Sequence, residues 1–173
     1  MRLVCGVILL APVILCGSLM AQSKATAAQT KTVACTFQDG SEMSIRYRPE
    51  PTGKKDKKDK KKLREGEVWS PGGSPMYLFM QTNVTLAGTL LPAGAYSMYL
   101  IPAKEHWTLI VNKNVKEGTA YDATQDVVRV PMSQGELGHA QGFRVYLGQS
   151  GPKQCSIRVY HGKTGSWADF NQQ

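Results

Sequence analysis

The sequence predicts an antiparallel β-sandwich, jelly-roll or immunoglobulin-like, built from about ten short strands with little helix. Three observations carry that expectation. Short runs rich in aromatic and branched residues recur along most of the chain, as a pleated, half-buried surface requires. Turn residues punctuate them at short intervals, drawn from 17 Gly and 9 Pro. No segment keeps a 3.6-residue apolar period; only 133–140 offers a helical turn. With 42% hydrophobic and 20% charged residues, the chain carries enough apolar surface to exclude a wholly disordered protein.

The leader comes first. Arg2 precedes an uncharged stretch from Leu3 to Ala21, with Pro12 inside it and Gly17, Ser18 and Ala21 near its exit. A basic start, an apolar middle and small residues at the exit are the layout of a secretory signal peptide, here residues 1–21. An uncleaved N-terminal membrane anchor is the alternative, since a span needs roughly 20 apolar residues; Pro12, Gly17 and Ser18 weigh against it. A lipid-modified Cys16 would need a small residue before it, and Leu15 stands there. The expected location is periplasmic or extracellular. Removing the leader leaves 152 of the 173 residues and two of the four cysteines, Cys35 and Cys155. In an oxidising compartment they suggest one disulfide, with two buried free thiols as the alternative.

Residues 22–31 read as a flexible tether, and 32–173 as one sandwich domain with a lysine-rich loop at 49–66. Within the domain, 33–37 and 43–47 alternate in apolar and polar residues around Asp39-Gly40, a hairpin signal because Gly accepts positive φ. Pro49 and Pro51 end the second strand. Further strands are expected at 76–81, 84–86, 95–101, 107–111, 127–132, 143–147, 156–160 and 166–170. Turns separate them at 71–73, 92–94, 112–114, 148–152 and 162–165.

The loop is the chain's most unusual feature. Lys54, Lys55, Lys57, Lys58, Lys60, Lys61 and Lys62 stand against Asp56 and Asp59, which puts +5 of the chain's net +8 into nine residues; Arg64 follows. Such a run repels itself and stays solvated. One reading is a merely solubilising loop. The other is attachment to anionic envelope components such as phospholipid head groups or acidic polysaccharide. No aromatic residue interleaves the lysines, so base stacking has no platform and nucleic acid is not an expected partner.

Chemistry-bearing motifs are sparse. His106, His139 and His161 show no metal-ligand spacing, and neither a metal nor another cofactor is expected. There is no G-x-S-x-G, and Glu136, Asp122, Asp126 and Asp169 share no diagnostic acid–base spacing, so no catalytic residue is assigned. The best polar cluster is Tyr121 and Asp122 with Arg129, and Trp69 joins them as a candidate pocket residue. A turn-forming Asp122 and a sheet-face Arg129 are the structural alternative.

The stretch Gly88-Thr89-Leu90-Leu91-Pro92-Ala93-Gly94-Ala95-Tyr96-Ser97-Met98-Tyr99-Leu100-Ile101-Pro102 resembles the exported bacterial family named domain of unknown function 2911, which carries an LPAGTYSLF-IP run. Gly66-Glu67-Val68-Trp69, His106 to Lys113, Tyr121-Asp122 and Asp126 to Val130 are similar to the family's other segments in the same order, over about 33–170. The resemblance implies a β-sandwich and export, and no established activity. Ser70 to Pro75 departs from the polar R-T-G-A-N segment that relatives carry after V-W. The expected function is therefore a non-catalytic envelope or binding module with a cationic loop. The alternative is a small-molecule or glycan-processing enzyme with a site near Trp69, Tyr121, Asp122 and Arg129, and a third reading is a purely structural sandwich.

Overall fold

The computed structural model describes residues 29–50 and 63–173. The residues read as a leader, most of those read as a tether, and the lysine run 54–62 lie outside the described residues. Among the described residues, ten strands form two antiparallel sheets. The first sheet takes β1 (Lys31–Thr36), β2 (Glu42–Tyr47), β3 (Met76–Met80), β6 (Gly94–Ile101), β7 (Thr108–Asn112) and β8 (Asp126–Pro131), in that order. The second takes β5 (Thr89–Leu91), β4 (Val84–Leu86), β10 (Gln154–Gln172) and β9 (Ser133–Gly151). Among the described residues no helix is long and apolar enough to cross a membrane.

Alternation decides which side chains meet between the sheets. Met43, Ile45, Leu78, Met98, Leu100, Leu109 and Val111 of the first sheet are fully buried. They face Phe143, Val145, Ile157, Val159, Phe170 and Leu86 of the second. The Asp39-Gly40 hairpin forms as expected, with Cys35 opposite Met43 and Gly40 at φ 87°. Cys35 and Cys155 are disulfide-bonded and join β1 at the edge of the first sheet to β10 of the second.

Three local expectations are corrected. Residues 133–140 open β9 instead of making a helical turn, because Gln134 and Glu136 find ladder partners in Ser166 and Thr164 while Gly135 and Gly138 weaken a helix. The expected turn at 162–165 lies inside β10, so 156–160 and 166–170 belong to one strand; Gly162, at φ 61°, absorbs a register shift as a bulge. Thr89–Leu91, which sequence reasoning missed, pairs with β4 across Ala87 and Gly88. Both central residues hold positive φ, as a two-residue hairpin turn requires.

The bulged ribbon has a large consequence. Nineteen residues of straight strand would span about 60 Å. Yet the Gln172 N–H donates to the Lys153 carbonyl at 2.7 Å, so β10 doubles back until its ends touch. The β9–β10 ribbon thereby curves around the core, to which it gives Phe143, Val145, Ile157, Val159 and Phe170.

Candidate functional site

Tyr121, Asp122 and Arg129 are brought together on the outer side of the first sheet. Asn112, buried at the end of β7, donates to the Asp122 carbonyl at 2.8 Å and to Asp126 Oδ1 at 2.7 Å. Asp122 caps the short turn Ala123–Gln125, accepting from the Thr124 N–H and hydroxyl. Those bonds, both to Oδ1, lower its pKa. Tyr121 donates to Asp126 Oδ2 at 2.5 Å, and Arg129 Nε donates to the same oxygen at 2.7 Å. The Tyr121 hydroxyl accepts from Arg129 Nη2 at 2.6 Å, and its ring meets Tyr99 edge-on at 4.8 Å.

This closed network pins the β7–β8 connection over Tyr99 and Ile110, both buried. It is poorly suited to proton transfer at neutral pH. Burial and the Asp126 carboxylate push the Tyr121 phenol up to about 12, so it keeps its proton. An ultraviolet phenol titration is expected to show one tyrosine ionising near 12, and Asp126→Asn to lower that value; titration of every phenol near 10 would contradict the geometry. Since the folded value lies above the ordinary 10.0, the phenol's stabilising share is complete below pH 10 and is lost as pH rises through about 12.

Trp69 does not belong to this cluster. Its N–H and carbonyl pair with Leu100, so it faces the core as Leu100 does, whereas Tyr99 points to the opposite side. The first sheet therefore separates Trp69 from Tyr121. The Trp69 ring meets Trp107, Phe143 and His161 edge-on at 5.8, 5.1 and 5.4 Å. His161 Nε2 lies 3.4 Å from Glu50 Oε2. Glu50 and Leu63, which packs against the core, are the described residues flanking the lysine run. Arg64 pairs with Glu67 at 3.3 Å, both exposed, so the neighbouring carboxylate offsets its charge.

A basic face that sequence reasoning missed lies on the ribbon. Arg-Val-Tyr occurs twice, at 144–146 on β9 and 158–160 on β10. The register sets Arg144 opposite Tyr160, Val145 opposite Val159 and Tyr146 opposite Arg158. Both valines are buried, so alternation turns both arginines and both tyrosines outward. The tyrosine rings meet edge-on at 5.3 Å, and Tyr146 is 51% exposed. Among the described residues neither arginine has an acidic partner. Two unpaired guanidinium forks beside aromatic rings suit a carboxylate, phosphate or sulfate. The repeated tripeptide was the available signal; only the register makes a face of it.

A family model described as a protein of unknown function (DUF2911) matches residues 28–164. No curated protein and no solved structure matches the chain.

Proposed function

Because the chain belongs to the DUF2911 family, whose function is unknown, we propose from its own residues that it is an exported, non-catalytic binding module for anionic envelope components. The observation that carries this reading is the concentration of +5 in the nine residues 54–62 of a chain whose net charge is +8. The Arg144/Arg158 face adds a second basic feature. Export is supported by the signal-like leader and by the disulfide, a bond that persists in oxidising compartments. A non-catalytic role fits the hydrogen bonds that tie Tyr121 and Arg129 to Asp126, and the sheet that separates them from Trp69.

The test is co-sedimentation of the purified chain with anionic vesicles and with envelope fragments. Binding is expected at about 0.02 M salt and release at about 1 M, where the screening length falls to about 3 Å. Replacing the seven lysines by Ser should remove most of the capture, and adding Arg144→Gln and Arg158→Gln the remainder. Capture that survives both sets of changes overturns the proposal.

A further inference from the structure

We propose that the cleft beside Trp167 is a binding site for a neutral saccharide. Trp167, Asp169 and Asn171 are exposed and alternate along β10 with half-buried Ala168 and buried Phe170 and Gln172, so all three project from its outer side. Trp167 is 38% exposed, a large free surface for an indole. Its placement has a structural cause. Trp167 stands opposite Ser133, and its ring leans diagonally onto Gly135 of β9, where even a Cβ would come within 3.4 Å of two ring carbons. The indole therefore rests against the strand in ordinary van der Waals contact, with 38% of the residue left exposed.

Beside the ring opens a cleft of about 290 Å³, close to the lower end of ligand pockets at ~300–1,000 Å³ and matched to one or two sugar rings. Leu86 and Val130 line its apolar part, and Asp169, Asn171 and Gln154 supply polar groups. Those amides are oriented. Gln154 Nε2 donates to Asn171 Oδ1 at 3.0 Å, and Gln154 Oε1 accepts from the Ser150 hydroxyl at 3.0 Å. The Asn171 amide N–H is left as a donor, two residues along the same side of the strand from the Asp169 acceptor oxygens. Asp169 forms no ion pair among the described residues.

A flat apolar plate next to an amide donor and a carboxyl acceptor is the complement of a pyranose. The sugar's C–H face packs on the indole, while neighbouring hydroxyls both donate and accept. The Asp169 carboxylate repels uronates and sugar phosphates, which makes the ligand neutral. Neither Arg144 nor Arg158 lines this cleft, so the site is separate from the basic face and stands or falls without it.

Calorimetric titration of the purified chain with maltotetraose, cellotetraose, xylotetraose and chitotetraose tests the proposal, with tetragalacturonate as the acidic control. At least one neutral sugar is expected to bind, with Trp167→Ala weakening it at least about tenfold and Trp167→Phe by no more than about threefold. Asp169→Asn, an exposed change that leaves the packing alone, is expected to weaken it at least about fivefold. Binding of none of the neutral sugars, preference for tetragalacturonate, or affinity unchanged in Asp169→Asn overturns the proposal.

Discussion

Replacing Cys35 and Cys155 together by Ala is expected to lower the unfolding free energy by about 2–5 kcal/mol. The bridge closes a loop of 120 residues, most of the domain, so it removes a large share of the unfolded chain's freedom. The loop-entropy relation alone gives about 4–5 kcal/mol for such a loop, and measured losses are commonly smaller. The bond also ties an edge. β1 pairs with β2 on one side and, among the described residues, has no ladder partner on the other, and Cys35 anchors it to β10 of the opposite sheet. At roughly 2–4 °C per kcal/mol for a domain of this size, the melting temperature should fall by about 5–15 °C. Circular-dichroism melts of the double variant and of the reduced wild type check this: both should shift, and by similar amounts. Superimposable melts of oxidised wild type and double variant would show that the bridge contributes nothing.

Phe143→Ala is expected to cost about 3–5 kcal/mol, the range for emptying a buried aromatic site. Phe143 is 2% exposed and packs in the core between the two sheets. It lies on β9 of the second sheet, and its ring contacts Tyr47 of β2 at 5.9 Å and Trp69, bridged to β6, at 5.1 Å. Two rigid rings cannot collapse into the space a third leaves, so the cavity term adds to the transfer term. Three residues along the same strand, Tyr146 is 51% exposed, and Tyr146→Ala should stay within about 0.5 kcal/mol. Urea unfolding separates the two variants. A lowered midpoint at constant slope is expected for Phe143→Ala alone, and equal midpoints would refute the assignment of Phe143 to the core.

Most of the architecture was legible because a strand with one buried face records it every second residue. Val33, Cys35, Met43, Ile45 and Tyr47 announce the first hairpin, and Asp39-Gly40 marks its turn. Thr89–Leu91 was missed because three residues hold too few alternations to register, and only pairing with Val84–Leu86 makes them a strand. The merging of 156–160 with 166–170 depends on a partner strand continuing across Gly162, which local turn chemistry does not report. The polar cluster was legible for a related reason: Tyr121, Asp122 and Arg129 lie within nine residues, close enough for one connection to gather them. Trp69 was grouped with them in error, since its side of the sheet follows from its bridge to Leu100, 31 residues away.

By itself the sequence determined the sandwich class, the two cysteines available for one bridge, the concentration of charge in the lysine run and the repeated Arg-Val-Tyr, because each is a matter of composition, local period or a count of two. Tertiary structure alone decided which side chains share a face and what lies beneath them. The hairpin register set each arginine against a tyrosine, and the bulge at Gly162 folded the ribbon back. Remote Leu86 and Val130 came to line the cleft beside Trp167. Each depends on register between distant strands, where a slip of one residue sends every side chain to the opposite face.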